Sequence, residues 1–267
     1  MATANAPLQR DPHWEVTDPG GGVRVLTLHH EQKRNALTDA LLGQLSSILE
    51  LKDMAAVRVL VLRGAAGTFC SGYDLSSLAA LAPDGRLPDA LLGETLARLE
   101  QFPAPTLALV EGAAFGAGCE LATTCDFRVC AEGAVFCMPP ARLGVVYAPA
   151  GLQRLMALVG MARAKRMVLT ARRVPAVEAL LWGLADEVAA GKDVERTAFT
   201  LAVELAQGAP LAVQGMKRSL NVLARGVLPS AVEAELAALR ARAFASSDLA
   251  EGRAAFLAKR VPKFTGR

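Results

Sequence analysis

The sequence predicts an α/β protein with crossover connections that ends in a helical segment. Three observations carry this. Apolar runs and helix-period segments alternate over residues 14–130 in the order strand, helix, strand, helix, strand. Glycine-bearing steps follow two of the runs, at Gly72 and at Gly112–Gly118. After Asp186-Glu187-Val188 strand signals vanish and Val194–Gln207, Leu211–Ala224 and Pro229–Ser246 read as helices. The expected organisation is a core over residues 1–194 and a helical subdomain over 195–267.

Each element follows from local chemistry. Trp14–Val16 and Val23–Leu28 flank Asp18-Pro19-Gly20-Gly21-Gly22, a hairpin signal. Thr38 is placed to cap a helix running to about Met54, with Leu41, Leu42, Leu45, Ile48 and Leu49 at helical spacing. Val57–Leu62 reads as a buried strand stopping at Arg63-Gly64, Thr106–Val110 as the next, and Phe127–Cys130 as another. Between Ala79 and Leu91, Leu81-Ala82-Pro83-Asp84-Gly85-Arg86-Leu87-Pro88 reads as a surface excursion.

Composition narrows the function. The 267 residues allow one large domain or two unequal ones, and 52% hydrophobic with 21% charged residues is a soluble globular composition. A net charge of +3 without a basic cluster argues against nucleic acid. The five cysteines contain no CxxC pair and read as buried free thiols of a reducing compartment. His13, His29 and His30 have no metal-ligand spacing, so no metal is expected. Met1–Trp14 has no apolar signal core and no run reaches membrane-spanning length, which makes the cytoplasm the expectation.

The chemistry concentrates in two loops. Phe115-Gly116-Ala117-Gly118-Cys119-Glu120 joins a strand to a helix start, where unpaired N–H groups and a first-turn carboxylate come together. Phe69-Cys70-Ser71-Gly72-Tyr73-Asp74-Leu75 repeats the design after Val57–Leu62, with Gly72 turning the N–H of Tyr73 outward. Backbone donors beside one carboxylate are the parts needed to polarise a carbonyl and move a proton. Ligands of open α/β sheets gather beyond the carboxyl ends of the strands, where both loops fall.

With Glu31–Leu37, Phe69–Leu75, Gly112–Asp126, Phe136–Gly151, Gln153-Arg154-Leu155 and Ala255–Phe264 in this order, the chain resembles the crotonase, or enoyl-CoA hydratase/isomerase, superfamily. The resemblance implies a spiral of ββα turns followed by helices used in trimerisation, as a homotrimer or a dimer of trimers. It implies an acyl-CoA thioester as substrate, with no cofactor beyond its CoA moiety. Matched residue by residue, the oxyanion donors are the N–H groups of Tyr73 and Ala117, and the acid/base is Glu120. Lys33, Arg34, Ala36, Ser71, Gly72, Asp74, Leu75, Gly116 and Tyr147 match substrate- and CoA-binding positions. Lys263 and Phe264 match a region that touches CoA from a neighbouring subunit, while Asp74 also reads as a helix cap.

One departure bears on the reaction. The hydratases of the superfamily use two glutamates, and the second position is Pro140 here. A single carboxylate suits double-bond isomerisation, because it removes a proton from one carbon and returns it to another. Hydration asks more, decarboxylation less. Tyr147 and Arg142 are the nearby polar candidates. The expectation is an acyl-CoA-processing enzyme, hydratase or isomerase. The alternatives are a decarboxylase or a catalytically weak acyl-CoA-binding protein.

Overall fold

A computed structural model of the chain describes residues 9–10, 13–76, 87–226 and 230–267. Its main sheet has seven strands in the order β1-β2-β3-β4-β5-β7-β10. β1 (Gln9–Arg10), β2 (Trp14–Gly20) and β3 (Val23–Leu28) pair antiparallel. β4 (Val59–Gly64), β5 (Thr106–Val110), β7 (Phe127–Ala131) and β10 (Glu187–Ala189) continue parallel. A second sheet of three short strands, β6 (Ala113–Phe115), β8 (Val135–Cys137) and β9 (Arg173–Pro175), stands at the carboxyl end of β5.

The continuous apolar strands have both faces covered. Leu60, Leu62, Ala108 and Val110 face α1 (Asp39–Leu49), α2 (Ala90–Gln101) and α3 (Ala117–Thr124). Val59, Val61, Leu107 and Leu109 face α7 (Val194–Ala206), which presents Val194, Ala198, Ala202 and Ala206 at helical spacing. The helix opening at the expected 194/195 boundary thus seals one face of the sheet. Trp14 is buried and its indole N–H donates to the Leu41 carbonyl at 3.1 Å, tying the hairpin to α1.

Thr38 caps α1, accepting from the Leu41 N–H, but the helix ends at Leu49 and not near Met54. Leu51 turns extended (φ −60°, ψ 140°), and the chain finishes in a tighter helical turn over Lys52–Ala56 that still buries Met54. The apolar spacing thus persisted while the backbone changed. The strand expected from Val57 starts at Val59.

α4 (Pro140–Leu143) and α5 (Pro149–Thr170, broken at Gly160 with φ 75° and ψ 162°) lead to α6 (Ala176–Trp182). The chain closes with α8 (Pro210–Leu223), α9 (Ser230–Phe244) and α10 (Ser247–Leu257). Of the excursion expected over Ala79–Leu91, residues 79–86 lie outside the described residues, and α2 is under way at Ala90. All five cysteines are buried and unpaired. Among the described residues no helix is long and apolar enough to cross a membrane.

Candidate active site

Both chemistry-bearing loops lie beyond the carboxyl ends of β4 and β5, and backbone hydrogen bonds hold them together. Cys70 N–H donates to the Ala113 carbonyl at 2.9 Å, and Phe115 N–H donates back to the Cys70 carbonyl at 3.0 Å. Across the other edge, Leu37 N–H donates to the Gly72 carbonyl at 2.8 Å and Asp74 N–H to the Leu37 carbonyl at 2.7 Å. Successive peptide groups of an extended chain face opposite ways. The Tyr73 N–H therefore faces away from Leu37, toward the start of α3. Ala117 is the first residue of α3, so its N–H is one of the helix's unpaired donors. Among the described residues neither N–H has an acceptor.

The two loops approach so closely that glycine is obligatory. A Cβ on Gly72 (φ +112°) would lie 2.9 Å from the Phe115 carbonyl oxygen and 3.8 Å from the Ala117 nitrogen. One on Gly118 would lie 2.3 Å from the Cys70 carbonyl oxygen. The N-cap Gly116 (φ 52°, ψ −121°) holds Cys137 through its N–H at 2.8 Å, and a Cβ there would lie 3.4 Å from the Tyr147 hydroxyl.

Glu120 sits in the first turn of α3, with 5% of its surface exposed. Its carboxyl packs on Gly151 in the first turn of α5; a Cβ there would lie 2.1 Å from Glu120 Oε1. Among the described residues the carboxyl makes no hydrogen bond. Burial pushes its pKa from 4.5 up to about 7; the Arg154 guanidinium pulls it down and the Asp89 carboxylate pushes it up. An acid poised there exchanges protons in both directions near neutral pH. Burial and the neighbouring Glu120 charge push the Tyr147 phenol well up, so it stays protonated.

Glu120 forms part of the wall of a cavity of about 1040 Å³ between α2, α3, α5 and α8. Its surface is mainly apolar, from Leu92, Leu96, Leu158, Met216 and Leu220, with Asp89, Thr123 and Arg154 among the polar groups. Tyr73, Ala117 and Tyr147 are not on that wall; Glu120 is where the cavity and the two-loop corner meet. α8 is fastened over the cavity by polar contacts, including Lys217 to Asp126 at 2.7 Å and the Asn221 amide donating to the Glu100 carbonyl at 3.1 Å.

Most of the other candidates gather on one rim. Ser71 N–H donates to the Arg34 carbonyl at 3.0 Å and Ser71 Oγ to the Lys33 carbonyl at 2.9 Å. Exposed Lys33 pairs with Asp74 at 3.3 Å, Ala36 is buried, and Leu75 is exposed. Asp74 also accepts from the Ser76 N–H at 3.0 Å, while the helix it was read as capping lies outside the described residues. Lys263 and Phe264 are not on this rim. The Phe264 carbonyl accepts from Arg58, just before β4, at the opposite end of the sheet.

Three residues of the site escaped sequence reasoning. Asn35, left-handed at φ 58° and buried, donates to the Ala65 and Thr68 carbonyls at 2.9 and 2.6 Å and pins the rim loop. Its signal was its place between Arg34 and Ala36. Gly151 stood in the sequence only as the end of the Phe136–Gly151 stretch that carries the resemblance. Asp89, just before α2, had no sequence signal. Pro140, which carries no ionisable group, is buried at the start of α4, and Arg142, named as a nearby polar candidate, is exposed.

A family model described as enoyl-CoA hydratase/isomerase matches residues 18–267. The chain is 38% identical over 248 residues to a 2,3-dehydroadipyl-CoA hydratase of Escherichia coli K12, covering 92% of this chain and 96% of that one. It is 33% identical to an enoyl-CoA isomerase/hydratase of Mycosarcoma maydis over 100% of this chain and 99% of the relative. Among solved structures it superposes on an enoyl-CoA hydratase from Bacillus anthracis with a TM-score of 0.87 and 31% identity, covering 96% and 100% of the two chains.

Proposed function

The chain belongs to the enoyl-CoA hydratase/isomerase family, with the α/β crotonase fold, and on that premise we propose a Glu120-driven proton transfer on an enoyl-CoA thioester. The observation that carries this reading is a buried carboxyl poised near neutral pH beside two backbone donors that have no acceptor among the described residues. The thioester oxygen lies between the N–H groups of Tyr73 and Ala117. Glu120 takes a proton from the α-carbon, the C–H electron pair becomes the enolate, and its charge rests on that oxygen. The protonated Glu120 then returns the proton to the γ-carbon, moving the double bond. Loss of one such donor costs about 3 kcal/mol of transition-state stabilisation.

The cavity beyond Glu120 suits the acyl tail, and the rim of Lys33, Arg34, Ala36, Ser71, Asp74 and Leu75 suits the CoA portion, with Tyr147 and Gly116 beside the thioester. No cofactor beyond CoA enters the scheme. Lys263 and Phe264, remote in one chain, would reach CoA from a neighbouring copy in a trimer or dimer of trimers. Five buried free thiols support a cytoplasmic setting. Hydration is the second reading, favoured by the identity to the E. coli hydratase.

The test is incubation of a short 2-enoyl-CoA and its 3-enoyl isomer in heavy water, followed by mass, with wild type and Glu120→Gln. The reading expects double-bond transfer with deuterium uptake, lost in the variant. Turnover that survives Glu120→Gln contradicts it. CoA binding without any turnover would leave a weak acyl-CoA-binding protein, and loss of carbon dioxide from a carboxyacyl-CoA a decarboxylase.

A further inference from the structure

We propose that Asp89 is the second carboxylate of this site, the group that activates water, so that the site carries out hydration as well as proton transfer. The inference rests on the reading of Glu120 given above and extends it to a second reaction. Position 140, where a second acid was expected, is a buried proline at the start of a short helix. The replacement comes from a different element. Asp89 immediately precedes α2, and its side chain lines the same cavity as Glu120. It is half-buried, and among the described residues it makes no hydrogen bond or ion pair through its carboxylate. Although it occupies the N-cap position, it does not cap the helix with its side chain; only its backbone carbonyl is engaged, accepting from the Gly93 N–H at 3.2 Å.

An uncommitted carboxylate on a mainly apolar wall asks for a ligand, because among the described residues none repays its partial burial. Asp89 and Glu120 line one cavity, and the Asp89 charge acts on two groups of the site, Glu120 on α3 and Tyr73 on the facing loop. Among the described residues the other charged or titratable groups around Glu120 are Arg154 from α5, Glu100 from α2 (paired to Arg154 at 3.5 Å), Tyr147, and Cys119 on its own helix. Glu100 is held by Arg154 and Arg225, and the Tyr147 phenol holds its proton. Asp89 is the group left to accept one.

The step balances. A water gives a proton to Asp89 while its oxygen bonds to the β-carbon. The double-bond pair moves toward the α-carbon and the thioester oxygen. Glu120, starting protonated, gives its proton to the α-carbon, and the proton on Asp89 returns to Glu120 through solvent. One water is added and both carboxyls end as they began.

The experiment measures two rates on wild type, Asp89→Asn and Asp89→Glu: hydration of a short 2-enoyl-CoA, and deuterium exchange at the α-carbon of a saturated acyl-CoA. Loss of a positioned general base costs about 10²- to 10⁴-fold. Asp89→Asn is expected to lose hydration by at least about a hundredfold, keep exchange within about tenfold, and recover hydration partly as Asp89→Glu. Exchange uses deprotonated Glu120, and removing the negative charge of Asp89 favours that form. Its acid limb should therefore move to lower pH in Asp89→Asn, which a merely structural residue would not cause. Hydration unchanged in Asp89→Asn overturns the proposal, as does equal loss of both rates with no shift of the limb. Wild type that exchanges protons but never hydrates overturns it while leaving Glu120's role intact. Wild type that does neither overturns both.

Discussion

The corner formed by the Cys70–Tyr73 and Phe115–Ala117 loops and the cavity wall behind it are built by opposite means. The corner is backbone: two N–H groups aimed by strand pairing and a helix start, brought together because Gly72 and Gly118 leave no room for a Cβ. The wall is side chain: Glu120, Arg154 and Asp89 come from three elements separated in sequence, and their effect on one another depends on charge and burial. A backbone device tolerates almost any side chain at its own positions and almost none at its glycines. A side-chain device behaves the other way, so substitution tells the two apart.

The largest effect falls on Glu120→Gln, expected to slow turnover by about 10³-fold, measured as kcat on the 3-enoyl substrate. The same variant gains stability. The unfolded carboxyl releases its proton near 4.5 and the folded one near 7, so stability is full at low pH and falls as pH rises through that window. At about pH 8 the variant should exceed wild type by up to about 3 kcal/mol in denaturant unfolding. Equal stability would show that Glu120 is not strained by burial.

Gly72→Ala comes next, at about a hundredfold loss in kcat/KM, because its Cβ would meet the Phe115 carbonyl and displace a donor. Gly151→Ala separates the regions more finely. Its Cβ would meet a carboxyl oxygen, the movable end of Glu120, so kcat should fall by about ten- to a hundredfold with little change in melting temperature. Tyr73→Phe should change kcat less than about threefold, since only the N–H of that residue serves the corner. A large loss there would give the phenol, which donates to Asp39, a part this account denies it.

The same contrast explains what was legible in the sequence. The corner could be read because Gly72-Tyr73 and Gly116-Ala117-Gly118-Cys119-Glu120 are continuous stretches whose backbone geometry is local. The main strands showed as apolar runs, and Thr38 as a cap, for the same reason. The second sheet was not read: its strands are three residues each, too short for alternation to register. Asp89 and Gly151 owe their meaning to α2 and α5 packing around α3, and no spacing along the chain encodes that. Lys263 and Phe264 were legible only through the resemblance, as residues offered to a neighbouring subunit; in one chain their segment folds against α10 and Arg58.

The most direct test of Glu120 as a neutral-poised acid/base is the pH dependence of α-proton exchange on a short saturated acyl-CoA in heavy water, in wild type and Glu120→Gln. The account predicts an acid limb with its midpoint near 7 in wild type and no exchange above background in the variant. Exchange in the variant at the wild-type rate, or a wild-type profile flat through neutral pH, would contradict it.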